Sequence, residues 1–469
     1  MKNNMSRAHK VGRIVTLGAL SLLFLIGLWW CGQAADNLFV KSENYYPVFY
    51  WTMLIAGIAL WGLVGSSVLL KKPAAENVAS VTIATLFAAY CFEGTLWALG
   101  IKPGDYFNRL ERRGKQVDHR TPLQVVADMR TGGKQAVPLY FPALHVTSSR
   151  KNGAGLFPVS GVSRAFTVYC NEDGHYSTYT SDERGFKNPS GLLSHPSPFD
   201  IAIVGDSFTN GACVDLDQDL ASHIRRRLPL TVSLGMDGNG PLIELATMKE
   251  YIPTLRPKLV LWFYYDNDLD DLEKELRDPV LRQYLDPAYS QNLINRQNEV
   301  DAFLRSLIDV KLKDLKAHPP VKESAVGDTT RLKRIRRLAE ALLKEHPIES
   351  PVHDQTTTDN YMTIVDAANK LVAQSGGTLI LVYLPDWTRV KERPNDPTYR
   401  QKNIILATAS KTGVPVIDVL DELRARPDAA TVYYNYPGSH FNKDGYRIVA
   451  EYVLDRIGAQ TQSRSKLLK

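Results

Sequence analysis

The most informative part of the sequence is Asp200-Ile-Ala-Ile-Val204-Gly205-Asp206-Ser207-Phe-Thr-Asn210-Gly211. In this stretch a continuous apolar run is followed at once by a glycine turn that presents a serine hydroxyl. An apolar run bounded by a turn predicts a buried central strand of a parallel sheet, and in open parallel sheets the reactive groups collect beyond the carboxyl ends of the strands. Ser207 is therefore a candidate nucleophile on an α/β fold.

Further polar or glycine-rich turns occur at other predicted element boundaries. They are Gly235 to Gly240 after a predicted strand at 231–234, Asp266 to Asp268 after a predicted strand at 258–265, and Pro437 to His440 before a predicted terminal helix that begins near 443. Serine, glycine, asparagine and histidine thus occur in chain order, each where a strand would open onto the same edge of a sheet.

These residues make the chain similar to the SGNH, or GDSL-type, hydrolase superfamily. Gly205-Asp206-Ser207 matches the first block of the superfamily, with Ser207 in the place of the nucleophile, and Gly238 falls where the second block donates a backbone N–H. The third block is matched only by Asn267, because the usual glycine is missing. His440 matches the histidine of the fourth block. The resemblance implies an α/β parallel sheet flanked by helices, with Ser207 and His440 catalytic and with Ser207, Gly238 and Asn267 forming an oxyanion hole.

The fourth block departs from the superfamily pattern. An aspartate is usual three residues before the histidine, and here that position is Pro437. We therefore expect a Ser207–His440 dyad, with the histidine Nδ1–H bonded to a backbone carbonyl or to an acid from elsewhere. Asp418 and Asp444 are candidates for that acid. Without a buried carboxylate the base should titrate near its ordinary pKa of about 6.5.

Each of these residues also has a structural explanation. Ser207 could cap the helix that follows it, Asn267 could be a turn residue, and His440 could be a surface histidine at a helix start. Taken together, the order of the four residue types and their placement at strand ends favour the catalytic interpretation.

The first hundred residues predict a membrane region. Three apolar stretches at about 14–30, 46–70 and 78–99 have the length of roughly 17–25 residues needed to cross a bilayer. Lysines and arginines are concentrated before the first stretch and at Lys71 and Lys72 in the second loop, which places the N-terminus inside. This topology leaves everything after the third span outside the cytoplasm and predicts a multi-pass protein of the inner (cytoplasmic) membrane.

The remaining chain divides into two predicted parts. After the membrane region, 1–101, comes a small β-rich lead-in, 102–198, followed by a hydrolase domain, 199–460, with a charged helical insertion at about 269–351. The insertion is either a lid or groove over the site or a solvated elaboration. Within the lead-in, Ser181 to Asn188 resembles the segment that precedes the first strand in membrane-anchored, polysaccharide-modifying members.

Composition limits the partners and cofactors. The net charge of +6 is modest for 469 residues, and the basic clusters are not interleaved with aromatic residues, so nucleic acid is not an expected partner. No Cys/His pattern has zinc-ligand spacing and no phosphate-binding glycine loop occurs, so we expect neither a metal nor another cofactor. Cys170 and Cys213 would be able to pair in an oxidising compartment, but the sequence leaves this open.

These inferences predict a membrane-anchored, extracytoplasmic serine esterase or O-acyltransferase. The expected substrate is an acylated surface or secreted glycan, or another ester, and the expected partners are the lipid bilayer and a membrane protein that supplies acyl groups. The alternative is a catalytically degenerate glycan-binding or assembly component with the same fold. A membrane-assembly role carried mainly by the spans is a third hypothesis.

Overall fold

The structure is a computed structural model. It describes residues 72–99, 107, 110–111, 113–148, 155–319, 332–345, 355–391, 400–427, 429–434 and 439–467. The chain divides into two compact units, of which the first comprises Met1–Gly104 with Lys322–Leu342 and the second comprises Asp105–Val321 with Leu343–Lys469.

The described helices and strands are numbered in chain order. The helices are α1 Lys72–Ala98, α2 Pro122–Thr131, α3 Pro142–Ser148, α4 Ser207–Asn210, α5 Leu220–Arg225, α6 Pro241–Leu255, α7 Asp268–Glu275, α8 Pro279–Gln283, α9 Gln297–Ala317, α10 Lys333–Glu345, α11 Gln355–Gln374, α12 Trp387–Lys391, α13 Arg400–Thr412, α14 Leu420–Ala425 and α15 Lys443–Leu467. The strands are β1 Ala136–Pro138, β2 Phe166–Val168, β3 Thr178–Thr180, β4 Ile201–Val204, β5 Thr231–Ser233, β6 Leu259–Tyr265, β7 Thr378–Leu384 and β8 Val416–Asp418.

The first unit contains α1, which covers all but the last residue of the predicted third span at 78–99. Glu93 in this helix is fully buried, and its carboxylate accepts hydrogen bonds from the main-chain N–H groups of Arg334 and Ile335 at 3.0 and 2.9 Å. It therefore caps the N-terminus of α10, where partial positive charge favours an anion. The predicted spans at 14–30 and 46–70 lie outside the described residues. No helix in the described ranges combines the length and the apolar character that a membrane crossing requires.

The lead-in is a mixed α/β segment in its described residues. Strand β2 pairs with β1 in parallel and with β3 antiparallel, and all three strands are only three residues long. Helix α2 packs on this sheet and buries Val125 and Val126 with Ala136 and Val168 in a small core of its own. The segment predicted as β-rich therefore has helices α2 and α3 beside its strands.

The second unit is built on a five-stranded parallel sheet of order β5-β4-β6-β7-β8. Strand β4 is buried along its whole length, and in β6 and β7 only the first residue is partly exposed, as expected for strands covered by helices on both faces. Each of these three central strands is formed by a nearly continuous apolar run of the sequence. The prediction of an α/β parallel sheet flanked by helices is confirmed.

The strand order locates the site. From β4 the chain passes to β5 on one side and then returns to β6 on the other side of β4. At such a switch point the connections leave the sheet in opposite directions, and a crevice opens beyond the carboxyl ends of the two strands. Ser207 follows β4 and Asn267 follows β6, so the two candidate residues lie on either side of this crevice.

The helical insertion predicted at 269–351 contains helices α7 to α10 in its described parts. Part of it, Lys322–Leu342, groups with the first unit, which the sequence did not indicate.

Candidate active site

The turn between β4 and α4 presents Ser207. A Cβ on Gly205 would lie 2.1 Å from the Thr209 hydroxyl oxygen and 2.9 Å from the carbonyl oxygen of Phe263, so only glycine fits at this position. The side chain of Asp206 accepts a hydrogen bond from the N–H of Phe208 at 2.9 Å and caps the four-residue helix α4. The turn therefore fixes the serine at the start of a helix.

His440 lies against Ser207 in the structure. Its Nε2 is 2.8 Å from the Ser207 Oγ, although the two residues are 233 positions apart in the chain. The ring of Phe208 packs against the imidazole with its centroid 4.9 Å away. The predicted nucleophile and base are thus within hydrogen-bond distance, the arrangement in which an imidazole can take a serine proton.

A third residue, Glu172, completes the arrangement. Its Oε1 lies 2.9 Å from Nδ1 of His440, and its Oε2 accepts a hydrogen bond from the main-chain N–H of the same histidine at 3.0 Å. The carboxylate therefore orients both the ring and the backbone of the base. The partner of Nδ1 is thus an acid from elsewhere in the chain, one of the two options that the sequence left open, and it comes from the lead-in.

The acids suggested by the sequence lie elsewhere. Asp418 forms an ion pair with Lys402 and accepts a hydrogen bond from the N–H of Leu420. Asp444 sits in the first turn of α15, where its N–H donates to the Asn442 side chain. Within the described ranges, neither carboxylate is hydrogen-bonded to or ion-paired with His440.

Glu172 sits in the connection between β2 and β3. The loop is closed by the bond from the Ser177 N–H to the carbonyl oxygen of Cys170 at 2.8 Å and by the bond from the Gly174 N–H to the Asn171 side chain at 3.0 Å. Asn171 also donates to the carbonyl oxygen of Asp118 at 2.8 Å, which ties the loop to the preceding segment. The acid is therefore carried by a tightly bonded turn of the lead-in.

Glu172 raises the pKa of His440 above the value expected from the sequence. Burial would lower the pKa of His440, but the charge and hydrogen bond of Glu172, with the nearby carboxyls of Asp237 and Asp206, raise it to about 9. Burial in turn raises the pKa of Asp206 to about 7 and that of Asp237 to about 6. The expectation of an ordinary histidine pKa is thus wrong, since an imidazolium beside an ionised carboxylate holds its proton more tightly.

The turn after β5 positions the main chain of Gly238. This residue has a left-handed backbone with φ of +68°, and a Cβ there would lie 3.3 Å from the Cβ of Ala143 in α3. Glu275 of α7 accepts hydrogen bonds from the N–H groups of Gly240 and Leu242 at 2.6 and 2.9 Å, which anchors the start of α6 just beyond the turn. Both the lead-in and α7 therefore support this segment.

Two main-chain N–H groups are available at the crevice. Ser207 is the first residue of α4 and has no acceptor within that helix. In the part of the chain that the structure describes, the N–H of Ser207 and the N–H of Gly238 donate to no other backbone carbonyl. Both N–H groups can therefore donate a hydrogen bond to an oxyanion.

Asn267 stands at the start of α7, beyond β6. Its side-chain amide donates one hydrogen bond to Asp271 at 2.8 Å, and its oxygen is buried without a partner in the described structure. The contact with Asp271 fixes the orientation of the amide and leaves its second N–H for another acceptor. The strand order therefore places Asn267 at the crevice, and the bond to Asp271 restrains its side chain.

The segment Ser181 to Asn188 is hydrogen-bonded to two segments next to Ser207. The side chain of Asn188 donates to the carbonyl oxygen of Ser233 and accepts from its N–H, each at 2.8 Å. These two bonds fix the position of the last residue of β5. Lys187 is fully buried, and its ammonium group donates to the carbonyl oxygens of Gly211 and Val214 at 2.8 and 2.7 Å. This segment therefore fixes the loop that follows the nucleophile.

A group of potential metal ligands coincides with the site. Atoms of Cys170, Glu172, Cys213 and His440 lie within 4.8 Å of one another. The two cysteines form a disulfide, and the other two residues are hydrogen-bonded to each other. Since disulfide sulfurs are not thiolate ligands, the arrangement fits a proton-transfer site and not a metal centre. The disulfide also answers the question that the sequence left open about these cysteines.

Comparisons with known proteins relate the chain to a family. The family model of the GDSL-like lipase/acylhydrolase family matches residues 203–448. No curated protein sequence matches the chain at a significant level.

Three solved structures are similar to parts of the chain. A lipase/acylhydrolase from Enterococcus faecalis is 14% identical with a TM-score of 0.32, over 56% of this chain and 96% of that chain. The acetyl xylan esterase AlAXEase is 12% identical with a TM-score of 0.31, over 55% of this chain and 100% of that chain. LAE5, an alpha/beta hydrolase enzyme from the metagenome of Lake Arreo, Spain, is 14% identical with a TM-score of 0.32, over 56% and 97% of the two chains.

The family match spans more than half of the chain, and it includes the turns that carry Ser207, Gly238, Asn267 and His440. The chain therefore belongs to the GDSL-like lipase/acylhydrolase family.

Proposed function

We propose that the chain is a membrane-anchored, extracytoplasmic serine esterase or O-acyltransferase that acts on acyl esters of a surface or secreted glycan. The observation that carries the reaction class is the line of contacts from Ser207 Oγ to His440 Nε2 at 2.8 Å and from His440 Nδ1 to Glu172 Oε1 at 2.9 Å. A serine, an imidazole and an oriented carboxylate in this order make a nucleophile from an otherwise weak hydroxyl.

The reaction follows from the positions of these groups. The Ser207 oxygen attacks the ester carbonyl carbon while its proton passes to Nε2 of His440, and Glu172 stabilises the resulting imidazolium. The carbonyl oxygen becomes an oxyanion that can accept hydrogen bonds from the N–H groups of Ser207 and Gly238 and from the amide of Asn267. The alcohol then leaves with the proton from Nε2, and an acyl-enzyme remains on Ser207.

The second half of the reaction distinguishes an esterase from an acyltransferase. Water or a sugar hydroxyl gives its proton to His440 Nε2 and attacks the acyl carbon, and Ser207 is released with its proton restored. Both reactions use the same residues. Partition of the acyl group between water and an added sugar acceptor, followed by mass spectrometry, separates them.

The alternative of a degenerate, non-catalytic component rested on the missing aspartate. Glu172 provides a carboxylate at the Nδ1 of His440, so that argument for a lost activity no longer applies. The glycan substrate is supported by the resemblance of Ser181 to Asn188 to polysaccharide-modifying members, and the membrane location by the apolar stretches of the first hundred residues.

The reaction class is tested with the full chain purified in detergent. We expect a fluorophosphonate probe to label Ser207 and p-nitrophenyl acetate to be hydrolysed, with both signals lost in Ser207→Ala. His440→Ala should lose turnover, and the double variant should be little worse, because residues that act as a unit are not additive. Absence of labelling in folded wild-type protein would contradict the proposal. Comparison of acetylated glycans with simple esters, by release of acetate, tests the substrate class.

The location is tested by topology reporters. An alkaline phosphatase fused after Lys469 should be active, because the charge bias of the short loops predicts that the N-terminus lies inside, and the three spans predicted from the sequence would then place the remaining chain outside. A fusion that is active only with a cytoplasmic reporter would contradict the location and, with it, a surface glycan as substrate.

A further inference from the structure

The disulfide between Cys170 and Cys213 joins two loops of the site. Cys170 lies two residues before Glu172, and Cys213 lies six residues after Ser207. The bond spans 43 positions of sequence and holds the two Cα atoms 4.7 Å apart. It is thus a covalent connection between the loop of the acid and the loop of the nucleophile.

The disulfide is also connected, through hydrogen bonds, to the segment that carries His440. The hydroxyl of Tyr434 donates to the carbonyl oxygen of Cys213 at 2.8 Å, and the N–H of Tyr434 donates to the carbonyl oxygen of His440 at 3.1 Å. The N–H of Ala212 in turn donates to the carbonyl oxygen of Ser207 at 3.0 Å. The backbone of Cys213 therefore connects, through one or two hydrogen bonds, to the base and to the nucleophile.

The loop of the acid is anchored at its two ends by Tyr169 and Tyr179, which are buried in the same hydrophobic core as the hydrolase sheet. Its flanking strands β2 and β3 are each three residues long and belong to the small sheet of the lead-in, and the bonds of Asn171 and Gly174 hold the loop to itself and to Asp118. An ionised carboxylate gains hydration when it moves into water, so its contact with His440 competes with solvation. The disulfide limits the distance that Glu172 can move from the base.

We propose that Cys170 and Cys213 are positioning residues for the acid, so that the oxidised chain has a complete Ser207–His440–Glu172 triad and the reduced chain retains only the Ser207–His440 pair. Reduction by a dithiol transfers two electrons and two protons to the bond, giving two thiols and the disulfide of the reductant. This inference rests on the proposed function for its effect on turnover. Its effect on the histidine does not depend on that function.

The test compares four proteins in a Cys31→Ser, Cys91→Ser background, which leaves only this pair of cysteines. They are the parent, Cys170→Ser with Cys213→Ser, Glu172→Gln, and the combination of all three changes. We expect loss of the disulfide to lower kcat at least about tenfold with little change in KM, and to lower it no further in the Glu172→Gln protein, because both changes remove the same contact.

A second measurement is independent of turnover. The ring pKa of His440, followed by NMR of the labelled imidazole, should fall in the serine variant towards the value of the Glu172→Gln protein. If the serine variant does not fold, the parent is reduced under native conditions and the same two quantities are measured. A chelator is included, since reduction exposes two thiols beside Glu172 and His440, within 4.8 Å of one another.

Several outcomes would overturn the inference. A reduced or serine-substituted protein with unchanged kcat and unchanged His440 pKa shows that the bond does not position the acid. A loss of activity that adds to that of Glu172→Gln in full shows a general structural role. If the parent has no esterase activity, the proposed function fails, while the His440 titration still decides whether the disulfide holds the acid.

Discussion

Glu172 holds His440 by two atoms at once, accepting from its ring and from its main-chain N–H although 268 positions separate the two residues. One carboxylate therefore fixes both the direction of the imidazole and the path of the chain that carries it. With this support His440 is held against Ser207 Oγ at 2.8 Å by an acid outside its own loop.

The first prediction concerns this acid. Glu172→Gln should lower kcat by about 10²–10⁴-fold, because the charge that stabilises the imidazolium is lost while the side-chain shape is kept. Glu172→Asp should retain more activity than Glu172→Gln, since it keeps the charge on a shorter stem. Steady-state kinetics on p-nitrophenyl acetate measures both variants.

Asp418→Asn and Asp444→Asn serve as matched controls for that prediction, because both remove a carboxylate that does not contact the histidine. We expect their turnover to stay near that of wild type. A large loss in Asp418→Asn together with wild-type rates in Glu172→Gln would show that the acid has been assigned to the wrong residue.

The sequence was sufficient for the central sheet and for the residues at its strand ends. The runs that became β4 and β6 are apolar throughout, that of β7 is apolar after Thr378, and the turn residues follow directly in the sequence. Strand β6, Leu259–Tyr265, matches its predicted bounds at 258–265 to within one residue, and α15 begins at the predicted residue 443. These features are local, so a window of a few residues contains the signal.

Glu172 could not be predicted in this way, because its role depends on how a separate small sheet docks against the hydrolase domain. Nothing in the sequence around Glu172 distinguishes it from the other acidic residues of the chain. The one available signal was the spacing of the cysteines, since a bond between Cys170 and Cys213 brings the neighbourhood of Glu172 to the neighbourhood of Ser207. The sequence alone did not establish that bond.

The second prediction concerns the side-chain donor at the crevice. Asn267→Ala should lower kcat by about 10²–10³-fold, which corresponds to the loss of about 2.7–4 kcal/mol of transition-state stabilisation. Because the Asn267 amide also bonds Asp271, Asp271→Asn is the control for a change in that contact alone. Equal losses in the two variants would mean that the pair acts through local structure and not through the oxyanion.

The third prediction concerns stability. Lys187 is buried with its ammonium group 3.8 Å from the carboxylate of Asp219 and hydrogen-bonded to two carbonyl oxygens. Lys187→Met should destabilise the protein by about 3–5 kcal/mol, because it removes one of the two cations beside the buried Asp219 carboxylate, leaving only Arg225 at 3.7 Å, and takes the donor from two buried carbonyl oxygens. Urea unfolding followed by tryptophan fluorescence gives this difference.

The ion pair of Lys258 with Asp200 is the control for that measurement, since the lysine side chain is 66% exposed. Lys258→Met should change the free energy of unfolding by about 0–1 kcal/mol. Similar effects of the two substitutions would show that burial does not determine the contribution of Lys187.

The fourth prediction concerns pH. His440 must be neutral to take the serine proton, and Glu172 with the other nearby carboxyls raises its pKa to about 9 against the effect of burial. The value of kcat/KM should therefore rise with pH and level off only above that pKa, because this quantity follows the free enzyme. In Glu172→Gln the attraction that favours the imidazolium is lost while burial continues to oppose it, so the rise should move to lower pH even as its plateau falls. A pH profile of the wild-type protein that levels off near pH 6.5, or a profile that Glu172→Gln leaves in place, would show that the carboxylate does not control the proton on His440.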